Sequence, residues 1–255
     1  MQVVILAAGR GRRMLDAAGD RPKCLVEVAP GVSILDRQIE TLGAFPAVTS
    51  VHIVVGHGAD LVEARLAAIR TRLPLSTVLN PDYATTNALL SLSIGLRHRP
   101  PAFVVLNGDT IVGRASIRRL LDARPLDRIV LAYSPRTTFG DDAVRVATRA
   151  DGSLRAIAKG LAGPEVTGES LGIVRVPASA AASVLDGVEA LVREPGGDQA
   201  YWYTLVARLA DTIGVELVSC RDDDWVEIDD PADLRSARAS HLASEEVPPV
   251  RVGVD

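Results

Sequence analysis

Aromatic residues are scarce in this sequence. Phenylalanine, tryptophan and tyrosine together make up 4% of its 255 residues, so any cluster of them is informative. Cysteine is scarcer still. Cys24 and Cys220 are the whole complement, which excludes a disulfide framework and a cysteine-based zinc site and suits the reducing cytoplasm. No apolar run approaches membrane-spanning length, and no basic segment precedes a long apolar stretch at the N-terminus. Neither a transmembrane helix nor a secretory leader is therefore expected. Positive charge is not in excess: the formal net charge is −4. That argues against a nucleic-acid-binding surface while leaving room for a local basic site. Two phosphate-binding signatures are also missing. No GxGxxG follows the first apolar run and no GK[ST] follows the first glycine turn, so there is neither a dinucleotide fingerprint nor a Walker loop.

What is present is apolar and periodic. Apolar residues make up 47% of the chain, enough to bury a sizeable core. Short apolar runs alternate with helical patterns through the first half. "VVIL" (Val3 to Leu6), "SVHIVVG", "LSTVLN" and "AFVVLNGD" read as strands. "ILDRQIETLGA", "ADLVEARLAAIRTRL" and "TNALLSLSIGLR" read as helices. This alternation predicts crossover units and a mostly parallel sheet. From about Asp127 the rhythm changes to closely spaced strand-like runs, "RIVLAY", "AVRVAT", "SLRAIA" and "ESLGIVRV", with "ADGS" as a hairpin turn. These predict an antiparallel insertion or edge. Helices resume with "ASAAASVLDGVEALV" and "DQAYWYTLVARLAD". Pro231 fits the first turn of a last helix capped by Asp230. One domain over 1–243 and a loose polar tail over 244–255 are expected.

Four stretches carry candidate chemistry. In "LAAGRGRRM", the small residues Ala7, Ala8, Gly9 and Gly11 follow Leu6 at the end of a strand, and the turn offers N–H groups to phosphate oxygens. Arg13 adds charge. A glycine turn of this kind also serves plain strand-to-helix connections. In "RPKCLVEV", Lys23 precedes a strand-like apolar run that draws the backbone inward, which aims its ammonium at a cleft. In "VVLNGDT", Asp109 follows a strongly apolar strand at its carboxyl end, the edge at which open α/β sheets bind ligands; it is a Mg²⁺ candidate or a turn cap. In "WVEIDDPADL", Glu227 and Asp229 flank Ile228, so on an extended segment both carboxylates face one side and call for a cation between them.

Together these stretches resemble the nucleotidyltransferases that join a nucleoside triphosphate to a phosphorylated acceptor, whose signature is AAGxGxR followed by PKxL. Arg13 and Lys23 stand at its arginine and lysine. "NPDYATTNALLSL" (Asn80 to Leu92) resembles the NxxYxxTNNxxSL stretch of the phosphocholine cytidylyltransferase branch, with Ala88 in place of the second asparagine. "LNGDT" and "WVEIDDPADL" match that branch too. The resemblance runs from Met1 to about Ala237, loosely between 127 and 200. The TPKPL and GTAGA motifs usual in the sugar-nucleotide branch are absent.

The resemblance implies a Rossmann-like, doubly wound α/β fold with a mostly parallel mixed sheet and a small antiparallel extension. It implies a CTP-dependent cytidylyltransferase acting on a small phosphonate or phosphate monoester. Leu6, Ala7, Ala8, Gly9, Gly11 and Asp109 would meet the nucleotide, with Tyr83, Asn87 and Ser91 at the base. Lys23 and Arg13 would be catalytic. Asp109 and Asp229 would hold Mg²⁺, with Glu227 as a further ligand. On the acceptor side, Tyr201 and Trp202 beside Asp198 suit a cationic head group, whereas Arg136 and Arg145 suit a second anionic group; Lys159 and Glu169 are assigned to the same side. The branch carries acidic residues followed by a lysine here, whereas Asp141 and Asp142 are followed by Ala143 and Arg145, a departure that counts against choline. Two other readings stay open: a sugar-1-phosphate or inositol-phosphate nucleotidyltransferase, and a non-catalytic regulatory subunit. The latter predicts loss of Lys23 or of the metal carboxylates, and all are present. A homodimer is compatible with the sequence.

Overall fold

The computed structural model describes residues 1–14 and 21–244. The expected tail beyond Ser244 and most of the gap between the two signature stretches lie outside the described residues.

The chain opens with β1 (Gln2–Leu6), whose Val3, Val4 and Ile5 are buried without regard to alternation. A strand covered on both faces needs such a continuous apolar run. A helical turn at Lys23–Leu25 and the hairpin of β2 (Glu27–Ala29) and β3 (Val32–Ser33) follow. "RPKCLVEV" thus begins as a 3₁₀ turn rather than a strand: the Leu25 and Val26 amides close back onto the Pro22 and Lys23 carbonyls. Helix α1 (Ile34–Gly43) starts at a capping box in which Ser33 and Asp36 exchange side-chain to backbone bonds. Next come β4 (Ser50–Val55), α2 (Ala59–Ala68), β5 (Leu75–Leu79), α3 (Ala88–Gly95) and β6 (Phe103–Asn107). Helix α2 is shorter than its periodicity suggests. Ile69 is already extended, and Pro74 disfavours helical backbone at Leu73.

The second half contains β7 (Thr110–Val112), α4 (Arg114–Asp122), β8 (Ile129–Pro135), β9 (Val144–Thr148), β10 (Leu154–Lys159) and β11 (Val166–Val176). It ends with α5 (Ala178–Arg193), α6 (Trp202–Thr212), β12 (Val215–Ser219), β13 (Trp225–Glu227), α7 (Pro231–Ala239) and the short α8 (His241–Ser244). Asp230 and Asp233 form the capping box of α7, with Pro231 in its first turn.

Among the described residues nine strands make one mixed sheet, with the path β10-β9-β11-β6-β1-β4-β5 and β8 between β11 and β12. The pairs of β1 with β4 and β6, of β4 with β5, and of β8 with β12 are parallel. The antiparallel strands expected after Asp127 are there. β9 and β10 form an edge, while β11 runs from that edge inward to pair with β6. Side chains alternate between two apolar layers. Val4 faces a cluster with Leu89 and Leu92 of α3, Val184 and Val188 of α5, and Leu205 and Leu209 of α6. Val3 and Ile5 face one with Leu35 and Ile39 of α1, Val62 of α2 and Ile117 of α4. No helix among the described residues is long and apolar enough to cross a membrane.

Candidate active site

Strands β1 and β6 run side by side and end together, Leu6 opposite Asn107. Their exits define one wall of a cleft of about 310 Å³. Gly108 is needed at this junction: its amide bonds to the Leu6 carbonyl at 2.9 Å, and a β-carbon there would lie 2.6 Å from that oxygen. Gly11 adopts φ +59° in the turn after β1, with the Lys23 stem packed against it, a conformation that favours glycine. Leu6, Ala7, Ala8, Gly9, Gly11 and Arg13 all line the cleft, as do Tyr83, Asn87 and Ser91.

Opposite the turn stands a group of charges. The Lys23 ammonium donates to Asp109 at 2.9 Å and to Asp229. Asp109 arrives at the end of β6. Glu227 and Asp229 arrive on the last strand, which pairs with β7 so that Glu227 lies opposite Thr110, and the Ile228 amide bonds to the Asp109 carbonyl at 3.0 Å. Ligand oxygens of Asp109, Glu227 and Asp229 lie within 4.8 Å of one another. Burial by itself would lower the Lys23 basicity, but the charges of Asp109 and Asp229 outweigh it and hold the ammonium above its ordinary range. Glu227 is pushed well up, first by burial and then by Asp109 and Asp229. Arg13 reaches Asp229 at 3.1 Å and also pairs with Asp142. Three converging carboxyl groups beside Lys23 and Arg13 offer hard oxygen donors, a set that fits Mg²⁺.

The segment from Asn80 to Leu92 is braced from within. The Asn87 side-chain oxygen accepts the Ala88 amide at 2.9 Å, capping α3, and Asn87 lines the cleft. Ser91 accepts from buried Asn80 at 3.0 Å. Backbone amides of Asn87 and Leu89 bond to the carbonyls of Asp198 and Ala200.

The acceptor-side expectations divide. Lys159, Tyr201 and Trp202 line the cleft; Arg136, Arg145, Glu169 and Asp198 do not. Arg136 is turned away by buried Glu169, to which it donates at 2.6 Å, by Asp222, and by the Trp225 ring beneath its guanidinium. Arg145 donates to the Leu161 carbonyl at 3.0 Å and lies over Phe139. Asp198 is exposed, in a 3₁₀ turn ahead of α6. Burial raises the Glu169 carboxyl despite the Arg136 charge. Trp202 is 4% exposed and donates its ring N–H to Asn107 at 2.9 Å. Tyr201 stacks in parallel on Tyr203, centroids 5.0 Å apart, and carries the Lys159 ammonium 5.1 Å over its ring. The expected aromatic cage for a cation is thus already filled by the protein's own lysine.

Several cleft residues were not expected. Asn107 stood inside the quoted "VVLNGDT", and its position at the end of β6 is the signal that could have found it. Asp142, in the stretch that departs from the pattern of the branch, pairs with Arg13 and with Lys159. Gln38, buried on α1, donates to the carbonyls of Asn107 and Thr110 at 2.8 and 2.7 Å and so fixes the turn that presents Asp109. Only its polar character on an apolar helix face hinted at this.

Known proteins resemble this chain in sequence and in fold. The bifunctional IPC transferase and DIPP synthase of Rubrobacter xylanophilus is 33% identical over 234 residues, covering 91% of this chain and 50% of that protein. The CMP-5'-(3-aminopropyl)phosphonate synthase of Streptomyces rubellomurinus is 30% identical over 244 residues, covering 93% and 38%. This chain therefore spans half or less of the length of these curated relatives. In fold it is similar to the inositol-1-phosphate CTP transferase from T. maritima, with a TM-score of 0.77, 19% identity, and coverage of 100% of this chain and 97% of that one. It is also similar to the CTP:phosphocholine cytidylyltransferase from Streptococcus pneumoniae, with a TM-score of 0.73, 20% identity, and coverage of 93% and 97%. The model of the MobA-like NTP transferase domain matches residues 3–201, and with the fold and the relatives it assigns the chain to that family of nucleotidyltransferases.

Proposed function

We propose that the chain is a magnesium-dependent cytidylyltransferase, which joins the CMP part of CTP to a small phosphate or phosphonate monoester and releases pyrophosphate. The observation that carries this reading is the meeting of Lys23, Asp109 and Asp229 beside the glycine turn. Relatives of this chain named for IPC transfer and for CMP-phosphonate synthesis support it. The same meeting speaks against a non-catalytic regulatory subunit, which has no need of the lysine or the acids. The buried, unpaired thiols of Cys24 and Cys220 suit a cytoplasmic setting.

The triphosphate lies along Leu6 to Gly11, with the base toward Tyr83, Asn87 and Ser91. The acceptor oxygen attacks the α-phosphorus in line. One P–O bond forms there, the bond to the pyrophosphate oxygen breaks, and no covalent enzyme intermediate arises. Two anions must approach each other, and the Lys23 ammonium lowers that electrostatic cost. Arg13 neutralises the departing pyrophosphate. Asp109, Asp229 and Glu227 would hold Mg²⁺, which would supply positive charge where the α-phosphate reacts. The remaining contribution of the chain is positioning.

A pyrophosphate-release screen tests the reading. Each NTP is offered with Mg²⁺ and a panel of phosphocholine, 2-aminoethylphosphonate, phosphonoacetate and inositol 1-phosphate. CTP should outperform UTP, ATP and GTP. A preference for UTP or dTTP would return the chain to the sugar-nucleotide branch.

A further inference from the structure

Asp142 stands between two cations that serve different substrates. It lies in the connection from β8 to β9. On one side it pairs with Arg13, at the end of the glycine turn. On the other it accepts from Lys159, at the end of β10, at 3.0 Å. Lys159 in turn sits 5.1 Å over the Tyr201 ring, which stacks on Tyr203. A continuous strap of contacts therefore crosses the cleft from the phosphate turn to the aromatic pair. Arg13 has a further carboxylate partner, Asp229, at 3.1 Å, so it is not lost from the site when Asp142 lets go.

We propose that Asp142 is a positioning residue that links the nucleotide and acceptor sites, because its one carboxylate is shared between Arg13 and Lys159 and competes with the triphosphate for Arg13. The proposal rests on the nucleotidyltransferase reading above. When phosphate oxygens draw Arg13 to themselves, Asp142 is left to Lys159, and the acceptor side is rearranged by the arrival of the nucleotide. The coupling is reciprocal: whatever strengthens the Asp142–Lys159 bond frees Arg13 for phosphate.

Two substitutions should act in opposite directions. Asp142→Asn removes the competitor and should tighten CTP binding, whereas Lys159→Met leaves Asp142 to Arg13 alone and should weaken it. Both partners are partly exposed, so each effect is about two- to five-fold. In the double variant the Lys159→Met effect should vanish, since it acts only through Asp142. The measurement is calorimetric binding of CTP with Mg²⁺ and no acceptor, repeated with inorganic pyrophosphate, well below the melting temperature of every variant. Shifts of the same sign, or either variant left unmoved, overturn the link. Opposite shifts with pyrophosphate in a protein that does not turn over CTP keep the link and remove the cytidylyl reading. Absent shifts in a protein that turns over CTP do the reverse.

Discussion

Lys23 and Asp109 meet at 2.9 Å, one from a 3₁₀ turn after the glycine loop and the other from the end of β6. The lysine side chain is 11% exposed, and its charge is sustained by carboxylates rather than by water. A cation stabilised in this way is ready to act on phosphate when phosphate arrives. Lys23→Ala should lower kcat by roughly 10²-fold while CTP affinity falls less, since charge at the α-phosphorus grows in the transition state. Steady-state rates beside calorimetric CTP binding decide it. Affinity falling in proportion to rate would make Lys23 a ground-state clamp instead.

The acids opposite should be separable from stability. Asp109→Asn and Asp229→Asn each leave Lys23 one carboxylate partner, so the melting temperature should change little. Turnover should drop by about 10²-fold or more, and chelation should abolish wild-type activity until Mg²⁺ is restored. Full activity in either variant removes the metal assignment.

Trp202 should behave as a structural residue. Trp202→Phe keeps a buried ring but leaves the Asn107 side-chain oxygen without its donor. The expected cost is about 1–3 kcal/mol, read as a lower urea midpoint at unchanged slope. Acceptor KM should stay near the wild-type value. A large rise in KM with an unchanged midpoint would restore Trp202 to the acceptor site.

Acid should weaken the strap. The hydrogen bond from Lys159, followed by the charges of Lys159 and Arg13, holds the Asp142 carboxyl below its ordinary range. The folded protein therefore binds that proton less readily than the unfolded chain. The contribution of Asp142 to stability is complete above the ordinary aspartate value, about 3.9, and is lost as pH falls through the folded value. Paired melts of wild type and Asp142→Asn from neutral pH to about 3 should show the wild-type advantage shrinking at the acid end. A constant difference across that range contradicts the assignment.

The core strands were legible because burial on both faces demands runs such as Val3 to Ile5, and helix α7 because Asp230, Pro231 and Asp233 make a complete local start signal. That the glycine turn and the carboxylates share one cleft was legible because they sit at strand ends or alternate on an extended segment. The acceptor side was not. The side chains of Arg136 and Arg145 are long, and where they point is decided by buried Glu169 and Trp225 and by the Leu161 carbonyl, partners distant in sequence. Likewise the aromatic stretch straddles a helix boundary that falls between Tyr201 and Trp202, so one ring is exposed and its neighbour is core.

The pairing of β13 with β7 has a consequence for biosynthesis. All nine strands of the large sheet are in hand once Ser219 has been made, yet Glu227 and Asp229 come afterwards on a ribbon of their own. Chains are made from the N-terminus, so a nascent chain can have every strand of its main sheet before it has a complete set of carboxylates. Until the final segment docks, Lys23 has only Asp109, and a product cut short at about residue 220 would lack Glu227 and Asp229 together with the buried Trp225, Ile228 and Leu234 that complete the apolar layers.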